Sequence, residues 1–191
     1  MIDSFSAYLG KYGTLSESAK SRIDAISNSV QLPKNEIVLR QGERCRSIFL
    51  ITSGSARMYY YHEGNEVTNQ FFFDHEVIAD MQSCYAKKRS FFNIQLLEAS
   101  NLIEIKYSEL EHLYGHYHEI EKIGRLIAIE CFLEESDRNR SFQMYTARQR
   151  YEQLLKKYPD ILNRVNLGHI ASYIGVTQIQ LSRIRSQQVS F

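Results

Sequence analysis

Residues 169–186 read HIASYIGVTQIQLSRIRS. Two helices broken at Gly175-Val176 fit this stretch. Ile170, Ile174, Val176, Leu181 and Ile184 then supply a shared apolar core, and Ala171 is small enough to let the second helix approach. Gly175 takes the left-handed backbone that the turn needs. With Leu181 and Ile184 facing inward, helical periodicity aims Ile179, Ser182, Arg183 and Ser186 outward and leaves Gln178 at the tip. Thr177 stands where it can cap the second helix. Arg183 has the fork geometry for a bidentate contact with guanine, Gln178 suits adenine, and Ile179 suits a thymine methyl. Arg185, Arg164 and His169 suit phosphates. The chemistry these residues can do is that of reading double-stranded DNA.

The charge distribution agrees. Residues 138–191 carry nine basic side chains against two acidic ones, while the rest of the chain carries 14 basic against 20 acidic. A basic segment on an acidic body points to a polyanionic partner for that segment. The three cysteines, Cys45, Cys84 and Cys131, are widely spaced with no CxxC pair. That argues against a disulfide framework and against a cysteine-only metal site. The N-terminus lacks the basic-then-apolar pattern of a signal peptide, and no apolar run is long enough to span a bilayer. The expected location is the cytoplasm, with no membrane partner.

Several elements must position these residues. Thr14-Leu15-Ser16-Glu17 reads as a capping box, opening a helix through Leu15, Ala19, Ile23, Ile26 and Val30 that stops at Pro33. EIVLRQGE, SIFLITSGSARMYYY, EVTNQFFF and FFNIQLLEASNLIEIK follow as strands punctuated by Gly42, Gly54 and Gly64. Consecutive short strands without intervening helices imply an antiparallel sandwich or barrel. After Lys106 the pattern turns helical, with Ser108 as the expected cap of SELEHLY. From Glu119 to Glu135 two apolar stripes run along one helix: Ile120, Ile123, Ile127 and Cys131, and then Leu126, Ile129 and Leu133. Two stripes need two partners. The β-domain is one; the same helix of a second subunit, met by Ile120, Ile123, Ile127 and Cys131, is the other. A further helix runs from about Thr146 to Lys157 and stops before Pro159.

On these residues the chain resembles the catabolite-activator/FNR family of bacterial transcription regulators. IVLRQGE followed by IFLITSGSARMYY is similar to the family's first roll strands, with Gly54-Ser55 at the turn, and EGNEVTNQFF to its next hairpin. TARQRYEQLLKKYPDI and LGHIASYIGVTQIQLSRIR are similar to the form common in Bacteroidetes. The resemblance implies an α+β chain: an antiparallel, jelly-roll-like β-roll, a long dimerisation helix and a C-terminal helix-turn-helix. The corresponding division is 1–116, 117–137 and 138–191. It also implies a homodimer bound to palindromic promoter DNA and contacting RNA polymerase.

The family's phosphate cassette runs Gly-Glu-x-Gly and then, after a variable stretch, Arg-Ser/Thr. The matching segments here are VIADMQ and CYAKKRSFF. Arg89 and Ser90 keep the phosphate positions, Asp80 replaces the glutamate, and Ala79 and Gln82 replace both glycines, whose bareness lets backbone amides approach a phosphate. Asp80, Arg89 and Ser90 remain the candidate effector-binding residues of a pocket that looks degenerate. Cyclic AMP or another small effector is not the favoured ligand, and no cofactor is implied. A cyclic-nucleotide-responsive regulator with a divergent pocket is the alternative.

Other constellations carry less. His112 and His116 have the i,i+4 spacing of two zinc ligands, but Gly115 interrupts them and no third ligand stands near in sequence. His62, Glu66 and His75 raise a cupin-like metal enzyme, which would need an HxH pair that the roll lacks. No nucleophile stands with a His and carboxylate partner, so the chain does not read as an enzyme.

Overall fold

The computed structural model describes residues 2–187. Two short helices, α1 (Phe5–Leu9) and α2 (Glu17–Ala25), precede the strands β1 (Ser27–Leu32), β2 (Ile37–Leu39), β3 (Ser47–Ser53), β4 (Ala56–His62), β5 (Asn65–Phe72) and β6 (Val77–Ile78). Helix α3 (Met81–Ala86) interrupts the roll before β7 (Asn93–Leu96) and β8 (Ser100–Lys106). Helices complete the chain: α4 (Tyr107–Tyr114), α5 (His118–Met144), α6 (Ala147–Lys157), α7 (Ile161–Arg164), α8 (Leu167–Ile174) and α9 (Gln178–Ser186).

The strands form two antiparallel sheets, ordered β1-β8-β3-β6 and β2-β7-β4-β5. Between them lies an apolar core that includes Leu50, Ile51, Ala56, Ile94, Leu96 and Ile105. The second sheet is unusual in being buried on both faces. Ala56, Met58 and Phe72 point into the roll. Phe71 and Phe73 point the other way, into a second core with Tyr151, Leu154, Ile161, Ile170 and Leu181 from the C-terminal helices. A strand covered on both sides has no reason to alternate with polar residues, which accounts for the unbroken run Phe71-Phe72-Phe73.

The N-terminal region departs from its sequence pattern. The helix there is capped by Ser16, whose Oγ accepts from the Ala19 amide, and it ends at Ala25 rather than before Pro33. Val30 belongs to β1, where it pairs with Leu102. The run Ser27-Asn28-Ser29 favours neither state strongly, and the free edge of β8 decides the outcome by offering a ladder. Likewise, α4 begins at Tyr107, and no side chain caps it.

Helix α5 has 27 residues, or about 40 Å of length. It runs past the expected boundary at 137 to Met144, because Asp137-Arg138-Asn139-Arg140 contains no helix breaker. Its stripes are covered differently from expectation. Ile120 and Ile123 are 1% and 2% exposed within the protomer's own roll core. Ile127 also packs there, so this stripe is the intramolecular one. Cys131 lies further along, exposed. The stripe left bare is Ile129, Phe132 and Leu133, at 44%, 71% and 56% exposure. Gly124 explains the choice: a Cβ there would stand 2.6 Å from the Tyr114 hydroxyl oxygen, so the bare backbone lets α5 settle on α4 with this face inward.

Phe71 links sheet and helices at 1% exposure. Phe71→Ala should destabilise the protein by about 3–5 kcal/mol in guanidinium denaturation. Tyr61→Ala, at a residue 52% exposed, should change stability by under about 1 kcal/mol.

Candidate nucleic-acid interface and sensor cavity

Helices α8 and α9 meet across a tight turn. Asn166 caps α8 by accepting from the Gly168 amide at 2.8 Å. Gly175 closes that helix with φ 75°, and a Cβ there would come 2.8 Å from the ring of Phe142. Thr177 and Gln180 form a reciprocal capping box at the start of α9: Thr177 Oγ1 accepts from the Gln180 amide and Gln180 Oε1 from the Thr177 amide. Leu181 is buried and Ile184 packs against the same cluster. Gln178, Ile179, Ser182, Arg183 and Ser186 are all exposed, Ile179 by 69%; Arg185 is half-buried. The structure thus brings five of the expected base-facing side chains together on one helix, whose first-turn amides are partly satisfied by Thr177.

Much of the basic surplus of residues 138–191 is consumed internally. Arg150 donates to the Ile174 carbonyl at 2.9 Å and to the Tyr145 carbonyl at 2.6 Å, and stacks on Phe142. Arg138 lies over Tyr173 and Phe142. Lys157 pairs with Glu134, Arg148 with Glu152 and Arg140 with Asp137. Among the described residues, Lys156, Arg183 and Arg185 have neither a carboxylate nor a side-chain hydrogen-bond partner.

Arg164 and His169 do not stand with the α9 residues; both are held by the roll. Arg164 pairs with Asp74 at 2.6 Å and with Glu98 at 2.5 Å, donates to the Gly54 carbonyl at 2.8 Å and stacks on Phe73. His169 Nδ1 accepts from Arg57 at 2.9 Å. Arg57, 3% exposed in β4, also donates to Gln95, pairs with Glu66 and lies 4.1 Å from the centre of the Tyr59 ring. One helix turn further on, Ser172 Oγ accepts from the Thr68 amide and donates to the Glu66 carbonyl. Helix α8 is therefore strapped along β5. Nothing local in the sequence marks Arg57 for this role. The signal present was the apolar run of β5, which needs a second cover that the roll cannot provide.

The cassette positions make a different arrangement from a ligand cradle. Asp80 is 5% exposed; its carboxylate caps α3 through the Ser83 amide and accepts from the Ser90 hydroxyl at 2.7 Å. Arg89 lies on the surface and donates to the Gly42 carbonyl at 2.7 Å. Asp80 and Ser90 come together with each other, and Arg89 does not join them.

Beside Asp80 a cavity of about 750 Å³ opens between the roll, α1 and α5, with Tyr8, Met58, Phe72, His75, Phe92 and Ile127 in its walls. At its margin Tyr158 donates to Glu76 at 3.3 Å, and burial raises the Glu76 carboxyl above its ordinary value. His112 and His116 stack with ring centres 4.4 Å apart. Among the described residues no three His, Cys, Asp or Glu side chains converge to hold a metal, and no helix is long and apolar enough to cross a membrane.

Residues 29–117 match the family model described as "cyclic nucleotide-binding domain". No curated protein matches the chain by sequence. Solved structures do. FixK2 from Bradyrhizobium japonicum superposes with a TM-score of 0.72 at 17% identity, covering 85% of this chain and 84% of that one. A protein from Eubacterium rectale assigned to the CRP/FNR family of transcriptional regulators gives 0.73 at 17%, covering 92% and 84%. The c-di-GMP-responsive global regulator CLP from Xanthomonas campestris gives 0.68 at 16%, covering 89% and 90%. At such identities the likeness is one of fold.

The docking of α8 carries a pH dependence. Burial lowers the His169 value, and the adjacent Arg57 guanidinium lowers it further. The docked state holds the neutral ring, because Nδ1 must accept. Its contribution is fully present above the unfolded value of about 6.5 and is lost as pH falls through the lower folded value, by at most about 1.4 kcal/mol per pH unit. Amide exchange at Thr68, corrected for intrinsic rates, should accelerate between pH 7.5 and 5.5 in the parent and change far less in His169→Gln.

Proposed function

We propose that this chain, which shares the fold of CRP/FNR-family regulators and matches the cyclic nucleotide-binding domain model over residues 29–117, is a sequence-specific DNA-binding transcription regulator of that family acting as a homodimer. It is a binding protein of the cytoplasm rather than an enzyme, with promoter DNA and RNA polymerase as its partners. The observation that carries the reading is the exposed row Gln178, Ile179, Ser182, Arg183 and Ser186 on a capped helix that packs on α8 through Leu181. Arg183 reads guanine, Gln178 adenine and Ile179 a thymine methyl. Lys156 and Arg185 meet phosphates. Arg164 and His169 instead hold the domain to the roll and reach DNA only in a state where those bonds are broken.

The dimer forms through the bare stripe of α5, Ile129, Phe132 and Leu133, with the half-buried Leu126 at its edge, and not through Ile120 and Ile123. An apolar stripe of this length on an otherwise acidic helix fits a second copy of the same helix. The roll serves as a sensor without a cyclic-nucleotide cassette. Asp80 and Ser90 satisfy one another, so a ribose hydroxyl would have to displace a buried bond, and Arg89 faces solvent, bonded to the Gly42 carbonyl and apart from that pair. Cyclic AMP is therefore not its effector.

Two measurements test this reading. In titrations on a site selected from genomic DNA, Arg183→Ala should lose about 1–3 kcal/mol and relax preference at one base pair per half-site. Lys156→Ala should weaken selected and scrambled sequences alike and reduce the salt slope by roughly one. A parent that binds no DNA at low salt sinks the regulator. In sedimentation, Ile129→Glu with Leu133→Glu should convert dimer to folded monomer. A parent already monomeric at micromolar concentration would remove the dimer.

A further inference from the structure

We propose that the cavity between the roll and α5 is a binding site for an apolar organic cation, an amine carrying an aromatic or alkyl body, and that it rejects anions. The inference rests on reading the roll as a sensor and names the ligand class that sensor takes.

Its walls are aromatic: Phe72 from β5, Phe92 before β7, Tyr114 from α4 and Tyr8 from α1. A volume of about 750 Å³ lies well within the range of small-molecule sites. The charge around it is one-sided. Glu76, Asp80, Glu130, Glu134 and Glu135 contribute to the lining, against Lys11 as the one lysine or arginine. Four of the five carboxylates already have partners: Glu76 accepts from the Phe73 amide at 3.0 Å and from the Tyr158 hydroxyl, Asp80 has Ser90, Glu130 accepts from Tyr12 at 2.5 Å, and Glu134 pairs with Lys157. Lys11 is turned over the Tyr8 ring at 5.3 Å. Glu135 makes no hydrogen bond or ion pair among the described residues.

A second, independent observation comes from β-turn geometry. His75 sits in the turn after β5 at φ 68°, a left-handed backbone that is costly for a residue with a Cβ. The turn carries it into the cavity wall, where its Nδ1 is buried with no hydrogen-bond partner. A buried nitrogen left without a partner is destabilising. The atom is closed off as it stands, so in the Nε2–H tautomer it accepts from an ammonium N–H once the imidazole turns toward the cavity. Aromatic faces attract a cation through their quadrupoles, and the unpaired Glu135 supplies the counter-charge. A phosphate or carboxylate would meet the surrounding carboxylates at close range in a partly desolvated space, with one lysine to offset them.

The chain contains no tryptophan, so the fluorescence of an indole probe reports its own environment. Three probes of one shape separate the charges: tryptamine, tryptophol and indole-3-propionate. Titrated into the full-length protein at pH 7.5, tryptamine should show a blue-shifted emission and raise the melting temperature. Tryptophol should bind at least about tenfold more weakly, and indole-3-propionate should not bind at millimolar concentration. Glu135→Gln should weaken tryptamine about tenfold and leave tryptophol unchanged, a charge-specific loss that misfolding would not produce. Equal binding of the three, preference for the propionate, or no binding by any of them overturns the proposal. Running the DNA titration on the same preparation separates the two readings: intact DNA binding with no amine selectivity rejects the ligand class and leaves the regulator standing.

Discussion

A guanidinium cannot be buried alone, and Arg57 is 3% exposed in the middle of a sheet. Everything above that sheet follows from satisfying it. Glu66 supplies the charge, Gln95 an amide oxygen and His169 a ring nitrogen. Two of these partners are neighbouring strands, but the third belongs to α8. The roll is therefore electrostatically complete only with a helix from the C-terminal segment lying on it. Phe71 and Phe73 give that helix an apolar seat, and Arg164 fastens the segment at the Gly54 turn. Removing one partner from such a group costs more than the pair contributes when made, which makes the arrangement close to all-or-none.

This architecture divides the basic residues of the C-terminal segment into two populations. Arg138, Arg150, Arg164 and Lys157 are structural, spent on aromatic faces, carbonyls and carboxylates within the protomer. Lys156, Arg183 and Arg185 keep their charge available. A charge total taken from sequence cannot separate these groups, because pairing depends on which faces meet.

The same limit decides what was legible. The α8–α9 pair was readable because its determinants are local: a left-handed glycine, a capping threonine and a 3.6-residue apolar period all lie within 18 residues. The two stripes of α5 were readable for the same reason, but their assignment was not. Periodicity says that two faces need cover and is silent on what covers each. The answer hinged on Gly124, which admits Tyr114, and that is a contact between helices. The end of α2 at Ala25 was lost to β8, distant in sequence, which draws Ser27–Leu32 into a ladder. The cassette was legible as a set of substitutions, whereas the Asp80–Ser90 bond that those substitutions permit emerged only in three dimensions.

The pairing of β1 with β8, Ser27 opposite Ile105, has a consequence during synthesis. Sheet closure must wait until β8 has left the ribosome, and long-range pairing of this kind is slow beside helix formation. At about 5–20 residues per second, the roll can close while the C-terminal helices are still being made. For that interval Phe71, Phe73 and Arg57 lie on an uncovered sheet face. The nascent chain thus passes through a state that exposes an apolar and charged surface before its cover has been made, and α8 ends it by arriving. Interrupted translation before that helix would leave a roll that is closed yet still adhesive, a natural substrate for chaperones and proteases.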